Sequence, residues 1–285
     1  MQGPIVLVTC RTWPELSASD RCLAGALRAR GHRVEAASWN GPFEPFAEAG
    51  AVVIRSSWDY HQAPDAYRAW LDRLDPARTF NAPDLIRWNL SKTHVLDLAA
   101  RGAPVPRARL VPATPTGVAQ ALIDLALDEG VLKPVVGASG FGVERVRRGD
   151  EGAALARALA QKPMEKVLVQ EFVAGIEHGE LAGVFFDGVF SHGLRRVPVP
   201  GEFRINSQYG GRMEGATLSE NVVRHMKTVL ALLPAPALYA RVDGVENDTR
   251  FTLMEVEVNE PGLGLDHAPG SADRFADALL ARMGR

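Results

Sequence analysis

Cysteine is almost missing from this sequence of 285 residues: Cys10 and Cys22 are all it has. Two thiols so placed make neither a disulfide framework nor a zinc site, and they suit a reducing compartment. A basic excess is missing as well. Against 34 Asp and Glu stand 32 Lys and Arg, a formal net charge of −2, which excludes a broad cationic surface for nucleic acid. No apolar run reaches the length of a membrane span. The opening MQGPIVLVTC is too short for a signal peptide and lacks its basic leader. The expectation is a cytoplasmic protein with no nucleic-acid and no membrane partner. What remains, 46% hydrophobic and 23% charged residues, is the composition of a globular enzyme long enough for two domains.

The run PIVLVT predicts a strand, followed by a helix through SASDRCLAGALRARG that Gly31 closes. HRVEAAS and AVVIRSS add strands and DAYRAWLDRL a helix, so the N-terminal third predicts an open parallel α/β sheet. A helix LSKTHVLDLAARG follows, then the proline-marked crossing segment APVPRARLV, a helix within residues 114–129 and a strand reaching Lys133. After a glycine-rich loop come the helix DEGAALARALAQ and the strand KVLVQEFV. From Gly179 the pattern turns antiparallel: ELAGVFF, a turn at Asp187-Gly188, then VFSHGLRRV. The helix SENVVRHMKTVLALL precedes the strands ALYARVDGVE and RFTLMEVEVNE, and ADRFADALLARM closes as a helix; a tight turn at Asn247-Asp248 would not set Asp243 opposite Glu257, so a wider loop or sheared strands are expected. The change from parallel α/β to α+β predicts coupled lobes at residues 1–88, 89–175 and 176–285.

In VLKPVVGASGFGV a lysine ends an apolar run, and a loop built on Gly137, Ser139, Gly140 and Gly142 follows. Small residues let backbone N–H groups approach an anion, so phosphate is the natural guest. In a P-loop the lysine follows the glycines; here Lys133 precedes them. A plain glycine-rich turn competes with this reading until other residues join it. In LMEVEVNEP, period two sets Glu255, Glu257 and Asn259 on one strand face. In YARVDGVE the same alternation sets Arg241 beside Asp243. Oxygen donors on neighbouring strands suit Mg²⁺ (or Mn²⁺), and Arg241 would meet a transferring phosphoryl group. A solvated acidic hairpin is the competing account.

Lys92 in a helix, Lys133-Pro134 before a glycine loop, VQEFVAG, and an Arg-x-Asp strand before a Glu-x-Asn strand together resemble the ATP-grasp ligases, among them glutathione synthetase. The resemblance covers residues 85–285, with the N-terminal α/β lobe similar to the domain that precedes the grasp. It implies ATP held between two antiparallel lobes, the glycine loop a hairpin lid, and Lys92 and Lys133 on the phosphates. It implies Glu171, Phe172 and Val173 along the adenine, and Glu177 or Glu180 on the ribose. Asp243, Glu257 and Asn259 match the metal ligands, Glu255 being a spare carboxylate. The implied activity is a carboxylate–amine ligase acting through an acylphosphate on an amino acid or small peptide, with Arg204 and Arg241 as catalytic donors and ADP and phosphate as products. A homodimer is the expected assembly. RSSWDYH lies after a buried strand, where open α/β sheets bind ligands, and Arg55, Ser56, Ser57, Trp58 and Asp59 are the substrate candidates. This stretch resembles the subgroup that cyclises O-ureido-D-serine. Asn259 stands where those relatives are apolar, so intermolecular ligation is expected over cyclisation. A kinase-like enzyme and a nucleotide-binding module without turnover are the remaining alternatives.

Overall fold

The computed structural model describes residues 3–247 and 250–284, so the connection through Asn247-Asp248, where a wider loop or sheared strands are expected, lies partly outside the described residues. Strands β1 (Ile5–Thr9), β2 (Val34–Ser38), β3 (Ala51–Ile54) and β4 (Thr79–Phe80) form a parallel sheet in the order β2-β1-β3-β4. The helix Ala18–Ala29 starts on Ser17, whose side chain accepts from the Asp20 N–H, and stops before Gly31 at φ +85°. Strands β5 (Ala108–Pro112), β6 (Glu129–Pro134), β7 (Glu144–Arg147) and β8 (Lys166–Glu171) form an antiparallel sheet, β5-β8-β6-β7. Strands β9 (Glu180–Phe186), β10 (Val189–Val197), β11 (Arg212–Ala216), β12 (Tyr239–Asn247) and β13 (Arg250–Glu257) form a second antiparallel sheet, β11-β10-β9-β12-β13. At the hairpin between β9 and β10, Asp187 and Gly188 both take positive φ, as a tight two-residue turn requires.

Three features depart from the sequence reading. The stretch through LSKTHVLDLAARG is a helix only from His94 to Ala100; a preceding helix, Pro83–Leu90, is separated from it by a turn that carries Lys92. That turn is fixed by the Lys92 N–H, which donates to the Val135 carbonyl at 2.7 Å. The crossing segment contains β5, and the short polar β7 and β11 were not foreseen.

The middle sheet has its own core, with Val111, Leu122, Leu132 and Val167 buried together. The parallel sheet and the C-terminal sheet instead share one: Ile5, Leu7 and Leu27 pack with Val184, Phe186 and Phe275. The rings of Phe186 and Phe275, the latter from the terminal helix Ser271–Met283, stack at 4.6 Å. Asn81, 2% exposed just past β4, stitches this seam. Its amide donates to the carbonyls of Tyr239 and Val258 (2.8 Å each), and its Oδ1 accepts from the N–H groups of Leu238 (2.5 Å) and Tyr239 (3.3 Å). Asn81→Ala should therefore lower stability by about 3 kcal/mol or more, since each orphaned buried group costs about 1–3 kcal/mol. A shift of the urea midpoint measures this, and an unchanged midpoint would refute the seam's importance.

Candidate active site

Where the middle sheet faces the C-terminal sheet, a cavity of about 750 Å³ opens, walled by both lobes and by loops of the parallel sheet. Its acidic wall is β13, whose pleat turns Glu255 and Glu257 to the cavity and buries Val256 between them. Register with β12 assigns their neighbours: Asp243 lies opposite Glu255, and Arg241 opposite Glu257. Arg241 donates to Glu257 Oε1 at 2.6 Å, and to Asp243 Oδ2 at 2.7 Å and Oδ1 at 2.8 Å. Arg196, reaching from β10 across β9, donates to Asp243 Oδ2 at 2.9 Å and lies 3.4 Å from Glu180. Lys92 pairs with Glu255.

Burial sets the electrostatics of this wall. It pushes Glu180 up to about 8, helped by Asp243 and opposed by Arg196 and Arg241. Glu257 is also raised, by burial foremost, although Arg241 pulls it down. Burial would raise Glu255 too, but Lys92 and Lys133 outweigh it and hold this carboxyl down at about 2. Lys133 is lowered, by burial and then by Lys92. Glu260 is pushed to about 8 by burial and then by Glu257 and Glu255. The cavity's ion pairs leave Glu260 out.

Crowded, dehydrated carboxylates are the donors a hard divalent cation prefers, and Glu257, raised first by burial and then by Glu255 and Asp243 against the pull of Arg241, is such a group. Asp243, Glu255 and Glu257 therefore fit such an ion by donor type. Among the described residues no three His, Cys, Asp or Glu side chains converge on one point, so the carboxylates would have to turn from Lys92 and Arg241 to share one.

Lys92, Lys133, Gly137, Ser139 and Gly140 line the cavity, as do Glu171, Phe172, Val173, Glu180, Arg204, Arg241, Glu257 and Trp58. At Gly140, φ is +71°, and a Cβ would stand 2.7 Å from Asn206 Oδ1, so glycine is required where the loop meets residues 206–209. There Gln208 donates to the Ser139 carbonyl and Tyr209 Oη to that of Gly140 at 3.2 Å. The Glu171 carboxylate turns aside to Arg107 at 2.9 Å, leaving its backbone to the cavity. Arg204 forks onto Glu202 at 2.7 Å and lies 3.8 Å from the Tyr209 ring centre.

Several expected residues stand elsewhere. Gly142 lies behind the loop, its N–H donating to Gln161 at 3.1 Å. Glu177 is exposed on a 3₁₀ turn outside the cavity, whereas Glu180 is inside it. Asn259 does not reach the metal-type wall. Period two holds only to Glu257, where β13 ends, and Asn259, 2% exposed, accepts from Tyr67 Oη at 2.8 Å. Of the substrate candidates only Trp58 faces the cavity. Arg55 is buried against Asp20 at 2.9 Å, and Ser56 donates to the same carboxylate. Ser57 bonds Tyr67 Oη at 3.1 Å, and Asp59 accepts from Trp39 at 2.6 Å and Asn40 at 3.0 Å. A polar cluster at a strand end was read as a ligand site; its polarity is consumed internally. Glu260, Gln170, Arg212 and Trp13 line the cavity and were not foreseen. Glu260 stood in the quoted motif, one place past the assumed ligand.

Residues 112–264, more than half of the chain, match the family model for the ATP-grasp domain of prokaryotic glutathione synthetase. The chain belongs to the ATP-grasp ligases. Residues 5–81 match the model for the N-terminal domain of D-cycloserine synthetase DcsG. The cycloserine biosynthesis protein DcsG of Streptomyces lavendulae is 30% identical over 283 residues, 92% of each protein. Glutathione synthetase of Synechocystis sp. is 28% identical over 59% of this chain and 52% of its own. The crystal structure of D-cycloserine synthetase DcsG superposes with a TM-score of 0.86 at 27% identity, covering 99% of this chain and 100% of that one. This ATP-grasp protein is thus an ADP-forming carbon–nitrogen ligase that drives carboxylate–amine ligation with ATP and a divalent metal. Among the described residues no helix is long and apolar enough to cross a membrane.

The Lys92–Glu255 pair yields a test in pH. Glu255 sits below its ordinary value, so its ionised form stabilises the fold above about 4.5 and that contribution fades as pH falls towards 2. Lys92→Met removes the main compensating cation. The variant's stability deficit should be largest above pH ~5 and shrink on acidification, read from unfolding midpoints across pH. A deficit independent of pH would show that the pair does not hold Glu255 ionised.

Proposed function

We propose that the chain joins the carboxyl group of an amino acid or small peptide to an amine through an acylphosphate. The observation that carries this reading is the meeting, in one cavity, of Lys92, Lys133 and the glycine loop with the carboxylates of β13. A substrate carboxylate oxygen attacks the γ-phosphorus of ATP, and the bond to ADP breaks. The amine nitrogen then attacks the acyl carbon, phosphate leaves, and the amine gives up a proton. Lys92 and Lys133 bring positive charge to the phosphates. The backbone of Glu171 to Val173 lies along the base and Glu180 takes the ribose hydroxyls. Arg241 and Arg204 face the oxygens that gain charge as the groups transfer. Asp243, Glu255 and Glu257 would hold Mg²⁺, which neutralises charge on the phosphoryl oxygens.

A second reading is intramolecular closure of an O-ureido-serine type substrate. It is favoured by similarity to D-cycloserine synthetase along the whole chain, and Asn259, bonded to Tyr67, no longer argues for an intermolecular reaction.

Phosphate release from Mg·ATP over a panel of D- and L-amino acids, dipeptides and O-ureido-serine, with product masses, separates the two. A requirement for two substrates supports intermolecular ligation; turnover with one, giving a product lighter by one water, with or without later hydrolytic loss of the carbamoyl group, supports cyclisation. Glu257→Ala should abolish turnover in protein whose circular dichroism shows the fold kept, even though losing the Arg241 partner lowers its melting temperature, and Lys133→Ala should weaken ATP binding by about tenfold or more. Full activity in Glu257→Ala would remove the metal assignment.

A further inference from the structure

We propose that Glu260 is the receptor for a cationic group of the substrate, a primary ammonium, and so selects which carboxylate the enzyme activates. The proposal rests on the ligase reading above. Glu260 is only 8% exposed, yet it lines the cavity and among the described residues forms no ion pair, Lys92 acting on it only from beyond ion-pair distance. A carboxylate dehydrated to that degree is costly unless a positive charge joins it. Its backbone is held in place: Trp58 Nε1 donates to the Glu260 carbonyl at 3.1 Å, and the next carbonyl, of Pro261, accepts from Arg55 at 2.6 Å.

The surroundings choose between kinds of cation. A divalent metal needs several oxygen ligands, and those lie further along β13. The cavity wall next to Glu260 is aromatic, made by Trp58, Tyr60 and Trp13. Trp13 stands edge-on to Trp58 with ring centres 5.6 Å apart, and it is 53% exposed, an indole left open on the cavity side. Aromatic faces beside a single carboxylate suit an ammonium, which ring quadrupoles attract within about 6 Å of their centres. Because Glu257 follows Glu260 along the wall, an amino acid bound here by its ammonium would carry its carboxylate towards the phosphate side of the cavity.

The test uses the full-length protein with Mg·ATP and measures ADP formation from D- and L-alanine, D- and L-serine and O-ureido-serine. Each is compared with its N-acetyl and α-hydroxy counterparts. The wild-type protein should use the free amines and discriminate against both counterparts. Glu260→Gln should raise KM for the amine about tenfold or more, leave KM for ATP and the melting temperature unchanged, and narrow the gap to the α-hydroxy compound. Trp13→Ala, at a position 53% exposed, should raise the same KM in the same direction. Equal KM values for the amine in wild-type and Glu260→Gln proteins would overturn the proposal while leaving the ligase intact. So would equal use of the N-acetyl compounds by the wild type, or a matching rise in KM for ATP. No ADP formation with any compound would overturn the ligase reading, and the proposal with it.

Discussion

The guanidinium of Arg241 is the constraint around which the cavity is organised. It lies between Asp243 on its own strand and Glu257 on the next, and its Nη1 also donates to the Gly262 carbonyl at 3.0 Å. Asp243, Glu180 and Glu257 are buried or nearly so, and their mutual repulsion would spread β9, β12 and β13 without a cation between them. Removing one partner of such a buried network costs about 3–5 kcal/mol, because the remaining charges are left unmatched. Arginine suits the position better than lysine: its planar fork bonds two carboxylates and a carbonyl at once. The same pairing occupies the acidic groups, so Asp243 and Glu257 would have to give up bonds to Arg241 before they could share a cation.

A second layer of polar contacts joins the parallel sheet to the C-terminal sheet. Asp20 accepts from Arg55 and Ser56, and the Arg55 guanidinium lies 5.0 Å from the Tyr239 ring centre. Tyr239 Oη in turn donates to the Ile54 carbonyl at 2.8 Å. Together with the four bonds of Asn81, these contacts join the parallel sheet to β12 and β13 without using any group that faces the cavity. The middle sheet has its separate core and meets the rest through the glycine loop and the Lys92 turn. The asymmetry is therefore one of packing: two sheets share a hydrophobic core and the third has its own.

Much of this was legible in the sequence because it depends on short periods. Alternation in ARVD and in EVE named the charged wall, and the hairpin that the family resemblance implied around the glycine loop is present as the antiparallel pair β6 and β7. The failures have one physical source: sequence pattern does not say where a period stops or which distant partner absorbs a polar group. Period two was carried one step too far, to Asn259, because nothing in VNEP marks the end of β13. RSSWDYH has the composition of a ligand site and of a buried network alike. Only Asp20, 35 positions from Arg55, decides between them. Strands β7 and β11 are short, polar edge strands whose sequences, ERVR and RMEGA, carry almost no alternation.

The segment after β13 shows how wall and substrate side are coupled. Three successive carbonyls, of Glu260, Pro261 and Gly262, accept from Trp58, Arg55 and Arg241 respectively. Two of these donors come from the parallel sheet's loop and one from the heart of the acidic wall, so the segment cannot shift towards one without straining its bond to the other. A change in the RSSWDYH loop that moved Trp58 would therefore reach Arg241 through two peptide units and disturb its grip on Glu257. One backbone segment thus joins the RSSWDYH loop to the acidic wall, and the loop's buried polarity, which made it look like a binding site, is what keeps that segment in place.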